Sequence, residues 1–96
     1  MSKSLSEKIA KELVEKHRGE FISRRDGYVI IKVIEDGRIT IVWIRQNPVT
    51  RKALELFKKI ISKYEHDRLV LLKLYKRADQ IRPEGLEIFD EVKYAV

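Results

Sequence analysis

A chain of 96 residues, 44% of them hydrophobic, can bury one small core, which predicts a single domain across residues 1–96. It has no cysteine and only two histidines, which excludes disulfide scaffolds, Cys-based zinc modules, iron–sulfur clusters and thiol nucleophiles, since each needs thiolates at fixed spacing. The net charge of +6 directs attention to phosphate or an acidic partner.

In chain order, Ser4 and Glu7 stand at the S-x-x-E spacing of a capping box, and Ile9, Ala10, Leu13, Val14 and His17 then recur at helical spacing. A helix is predicted from about Leu5 to Arg18, with Gly19 as the left-handed residue that ends it. A short strand around Phe21 and Ile22 is allowed next. From Tyr28 to Arg45 the β-branched, apolar pattern is interrupted only by Asp36-Gly37, the signature of a two-residue type I′ turn, so these residues form a β-hairpin. Such a turn sets Glu35 opposite Arg38, and therefore Ile30 opposite Trp43 and Tyr28 opposite Arg45. One face then carries Tyr28, Ile30, Lys32, Ile34, Ile39, Ile41, Trp43 and Arg45. The other, with Val29, Ile31, Val33, Val42 and Ile44, is the expected dry face.

Asn47-Pro48 offers a cap and a first-turn proline for a second helix running to Tyr64. Ala53, Leu54, Leu56, Phe57, Ile60, Ile61 and Tyr64 fall on one arc of it, and Arg51, Lys52, Lys58, Lys59 and Lys63 on the other. Glu65-His66-Asp67 is a polar turn. Leu69 to Tyr75 reads as a buried strand, reached by a helical crossover that favours parallel pairing. Arg82-Pro83-Glu84-Gly85 is a turn, and Leu86 to Val96 is open between a helix, a strand, or one followed by the other. The order α-β-β-α-β defines an α/β domain with a small mixed sheet, a central hairpin and flanking helices.

That order, with the stretch from Asp36 through the hairpin into Arg51-Lys52-Ala53-Leu54-Glu55-Leu56, resembles the restriction-endonuclease-like, PD-(D/E)xK nucleases, in particular Mrr-type restriction enzymes and, more loosely, archaeal Holliday-junction resolvases. The resemblance spans roughly residues 5–75 and implies a nuclease core. In the family, one hairpin strand supplies an Asp and the next a Glu or Gln, x, Lys; the acids hold a divalent metal and the lysine helps activate water. Counted from the Asp-Gly turn, these positions are Ile30, Trp43 and Arg45, and sliding the alignment gives Ile31, Ile44 and Gln46. Neither set supplies the carboxylates that a hard cation needs. The resemblance therefore implies a degenerate member, with no catalytic residues, metal site or cofactor; a site displaced to Asp26, Glu12 and Glu15 is the remaining route to a metal-dependent nuclease.

Other chemistry is sparse. His17 suits the negative end of the first helix and His66 a polar turn; the serines cluster where capping explains them, and the four separated glycines make no phosphate loop. Charge is more informative. Residues 38–63 carry seven basic side chains against the single acid Glu55, whereas the stretch from Pro83 is net acidic. Nucleic-acid binding is the expected function, DNA rather than RNA, through Arg45, Arg51, Lys52, Lys58, Lys59 and Lys63, with Trp43 or Tyr28 stacking on an unpaired base if exposed. The competing view makes Trp43 a core residue beneath the first helix or a loop, and the lysines a solvated surface. A homodimeric protein-interaction module is the alternative function. No apolar run approaches the roughly 18–20 residues of a bilayer span, and the N-terminus lacks a signal-peptide core, so no membrane partner and a cytoplasmic location are expected. The 38% charged composition, with one Asn and two Gln, has a thermophilic character.

Overall fold

The structure is a computed structural model that describes residues 4–25, 27–79, 81 and 83–91. Its first element is helix α1, Leu5–Lys16. Ser4 caps it, its Oγ accepting the Glu7 N–H at 3.3 Å, which is one half of the capping box that the S-x-x-E spacing predicts; the return bond to the Glu7 carboxylate is not formed among the described residues. The helix stops two residues short of Arg18. Arg18 itself takes the left-handed conformation (φ 51°), and the Gly19 N–H closes the turn on the Val14 carbonyl at 2.9 Å, a Schellman arrangement. Gly19 is thus not the left-handed residue. It is required for another reason: a Cβ there would lie 2.3 Å from the Lys32 carbonyl oxygen, so the helix exit passes against the neighbouring strand with no room for a side chain.

Strands β1 (Glu20–Arg25), β2 (Tyr28–Glu35) and β3 (Arg38–Arg45) follow as an antiparallel meander. Between β2 and β3, Asp36 (φ 50°) and Gly37 (φ 77°) both adopt positive φ. Glu35 pairs with Arg38, Ile30 with Trp43 and Tyr28 with Arg45, the register that a two-residue turn imposes. β1, only allowed by the sequence, is a full edge strand, irregular where its register shifts between Phe21 and Ser23.

Helix α2 spans Arg51–Ile61 and is capped by Thr50, whose Oγ accepts the Ala53 N–H at 3.1 Å. The expected Asn47-Pro48 cap is therefore displaced, because the Asn47 and Pro48 carbonyls are held from behind by Arg45. The chain returns through β4 (Arg68–Lys73), parallel to β3, and ends its described part in β5 (Glu87–Phe89), parallel to β4. The closing stretch is a strand as far as Phe89; residues 92–96 lie outside the described residues. The result is a small α/β domain in which, among the described residues, two helices accompany a five-stranded mixed sheet of order β1-β2-β3-β4-β5.

Both sheet faces are dry. Val29, Ile31, Val33, Val42, Ile44, Val70 and Leu72 pack beneath Ala10 and Leu13 of α1. Ile30, Ile41, Trp43 and Leu71 pack beneath Leu54, Phe57 and Ile61 of α2. The face that carries Tyr28, Lys32, Trp43 and Arg45, not the one expected to be dry, is thus a second core, because the crossover lays the apolar arc of α2 upon it. Among the described residues, no helix is long and apolar enough to cross a membrane.

Candidate functional site

The end of β3 and the start of α2 build one corner of the molecule. Arg45, the last residue of β3, is 8% exposed. Its Nε donates to the Asn47 carbonyl at 3.0 Å and one Nη to the Pro48 carbonyl at 3.2 Å, while its guanidinium lies 4.7 Å from the centre of the Trp43 ring and 5.7 Å from that of Tyr28. Burial lowers the Arg45 pKa, partly offset by Tyr75, Tyr28 and Asp79. Two of its five donors are spent on the turn that aims α2, so Arg45 is a fixed internal cation and not a mobile phosphate contact.

Trp43 is 1% exposed and stacks on Phe57 of α2. It cannot stack on a base from solution without α2 being lifted away. The core interpretation of this residue is therefore the correct one, with the covering element α2 instead of α1 or a loop. Tyr28 is half-buried. The cations of the second helical segment are in the open: Arg51, Lys52, Lys58, Lys59 and Lys63 are all exposed, and none forms an ion pair among the described residues. Three cations elsewhere are paired, Lys32 with Glu20, Arg68 with Glu35 and Glu87, and Lys73 with Asp79.

Between α2 and the ends of β2 and β3 lies a cleft of about 260 Å³. Tyr28, Ile30, Trp43, Leu56, Phe57 and Ile60 form its apolar walls, and Arg45, Lys52, Asn47 and Thr50 its polar lining. No acidic side chain stands among the described residues that line it. Leu56 is 47% exposed at this cleft, so the apolar arc assigned to α2 extends beyond the core and into the cleft wall. The sequence signal was present in that breadth: an arc too wide to be covered by one sheet leaves an edge uncovered.

The metal-ligand positions implied by the family resemblance are apolar and paired with each other, Ile30 opposite Trp43. The alternative set fares no better: Ile31 and Ile44 are in the α1-side core, and Gln46 Oε1 accepts from the N–H and Oγ of buried Ser6 at 3.0 and 2.7 Å. Glu12 and Glu15 are exposed on α1, which covers the opposite face of the sheet from Trp43, so they cannot complete a site at the cleft. Asp26 lies outside the described residues. Among the described residues, no three His, Asp or Glu side chains converge as a metal cluster.

One polar cluster had no counterpart in the sequence reading. Asp79, in the segment between β4 and β5, accepts the Val49 N–H at 2.9 Å and the Tyr75 hydroxyl, and pairs with Lys73 at 3.3 Å. Burial raises the Asp79 pKa, but the Tyr75, Val49 and Lys73 bonds outweigh it and hold the carboxyl below its ordinary value. Burial, then the bond to Asp79, raises the Tyr75 phenol well above its ordinary value. The cluster fastens the β4–β5 segment to the residues preceding α2.

No protein-family model, curated protein or solved structure matches this chain.

Proposed function

We propose that this chain is a nucleic-acid-binding domain of restriction-endonuclease-like architecture, lacking that family's metal-dependent nuclease site, which grips the phosphate backbone through the outer face of α2. The observation that carries this reading is the cluster of five exposed cations, Arg51, Lys52, Lys58 and Lys59 on α2 about the single acid Glu55, and Lys63 two residues past the end of the helix, none of them in an ion pair among the described residues. Cations clustered on one surface bind by displacing counterions from a polyanion, without sequence readout. The family assignment is supported by the element order, a helix, a meander turning at Asp36-Gly37, a crossover helix and a parallel strand; the loss of catalysis is supported by Ile30 and Trp43 at the ligand positions.

The test is the salt dependence of DNA binding. Wild-type protein should bind at about 50 mM salt and lose affinity steeply as salt rises, and the combined change Lys52→Gln, Lys59→Gln, Lys63→Gln should flatten the log–log slope by about 0.9 for each lost duplex phosphate contact. No binding to any nucleic acid at that salt overturns the proposal.

A second reading, a homo-oligomeric interaction module, draws on Leu5 (53% exposed) and Ile88 (44% exposed), which line one shallow surface beside the β5 edge. Association through those residues would persist in high salt, the opposite of phosphate binding.

A further inference from the structure

We infer that the cleft between α2 and the ends of β2 and β3 receives a single unpaired base of a nucleic-acid strand whose phosphates lie along α2, so that the domain prefers single-stranded to closed duplex substrate. This rests on the proposed phosphate-binding role of α2 and adds the substrate class. Three observations carry it. The first is scale: about 260 Å³ lies below the roughly 300–1,000 Å³ of clefts that hold drug-sized ligands, which suits one heterocycle.

The second is lining. Tyr28, half-buried, and Leu56, exposed, offer flat and apolar surface, and Trp43, which also lines the cleft, has an indole N–H with no acceptor among the described residues. A buried donor without a partner is costly; a base supplies carbonyl oxygens or ring nitrogens that satisfy one. Lys52 and Arg45 add positive charge with no acid among the described lining residues, which complements a nucleotide and disfavours a cationic or neutral apolar guest.

The third is placement. Lys52, Leu56 and Ile60 follow one another at i, i+4, i+8 spacing, the ridge of α2 that borders the cleft, and Lys59 adjoins that ridge. A strand tracking these lysines therefore runs along the rim, where one base can turn inward while its neighbours stay outside. A base stacked and paired within a duplex cannot enter without being extruded.

The experiment uses the full chain and its sole tryptophan, Trp43. Labelled probes are an oligothymidylate of about eight nucleotides, the same backbone with abasic sites throughout, and a blunt duplex, titrated at about 50 mM salt by anisotropy while Trp43 emission is followed. The oligothymidylate should bind about tenfold tighter than the abasic strand, the scale of one base–aromatic contact, and only it should change Trp43 emission. Ala53→Leu narrows the cleft, and Leu56→Gln, at an exposed position, replaces part of its apolar wall without adding charge beside the lysines. Each should remove the base preference and leave abasic binding within about twofold.

Equal affinity for base-bearing and abasic strands with unchanged emission overturns the inference and leaves the phosphate-binding reading standing. Thymidine monophosphate binding as tightly as the strand overturns the phosphate track along α2 and with it the inference, since the further phosphates would then add nothing. Failure to bind any of the probes overturns both.

Discussion

Trp43 and Phe57 stack face to face, their ring centroids 4.3 Å apart and their planes 2° from parallel. The pair joins the central strand β3 to the helix that carries the basic surface, and both residues are almost wholly buried. Truncating Phe57 removes the stack and opens a cavity over Trp43. Phe57→Ala should cost about 3–5 kcal/mol in chemical denaturation and shift Trp43 emission to the red. Unchanged emission would mean that the indole is covered by something other than α2.

Two glycines should respond to substitution for different reasons. At Gly37 a Cβ meets nothing within 4 Å, so only the positive φ resists it. Gly37→Val should cost at least about 1 kcal/mol and Gly37→Asn less, since asparagine tolerates the left-handed region. At Gly19 the φ is not the obstacle, and the Lys32 carbonyl is; Gly19→Ala should cost about 1–3 kcal/mol by forcing α1 away from β2. Urea midpoints for the three variants decide the matter.

Arg45 and Lys58 look alike in sequence and should behave differently. Arg45→Lys loses the fork that reaches both the Asn47 and Pro48 carbonyls and should destabilise by about 1–3 kcal/mol. Lys58→Gln, at an exposed position, should stay within about 0.5 kcal/mol of wild type. Equal thermal shifts in the two variants would contradict the internal role of Arg45.

Acid should loosen the β4–β5 segment. Because Asp79 is held below its ordinary pKa in the folded state, its ionisation stabilises the fold at pH above the unfolded value of about 3.9, and that stability is lost as pH falls through the lower folded value. Asp79→Asn should be less stable than wild type at neutral pH, and the difference should shrink below about pH 4. Stability curves that run parallel through the acid range would show that the carboxylate contributes nothing through its charge.

Mg²⁺ or Mn²⁺ should not elicit cleavage of double-stranded, single-stranded or branched DNA, and EDTA should leave binding unchanged. Ile30 and Trp43 face each other where carboxylates would be needed, and hard cations take oxygen ligands. Gel assays showing metal-dependent products that disappear in Asp26→Ala would restore a displaced nuclease site.

Local features were legible in the sequence because local chemistry decides them. The Ser4 cap needs only a hydroxyl and the backbone N–H three residues on. The Asp36-Gly37 turn, with its positive φ at both residues, carries the whole hairpin register from Tyr28–Arg45 to Glu35–Arg38, since side chains alternate strictly from one fixed point. The parallel partner of β3 followed from a helix-length crossover.

What the tertiary structure alone decided is which groups end up in water. Arg45 and Lys58 both read as cations on a basic segment, yet the turn at Asn47-Pro48 folds its carbonyls back over one and leaves the other exposed. Trp43 belongs to the core because α2 crosses that face and brings Phe57 over it. Gly19 is held open by a carbonyl thirteen positions away, at Lys32, and Asp79 meets Val49 across thirty. Such contacts depend on the path of the chain between the partners, and spacing in the sequence carries no record of a direction in space.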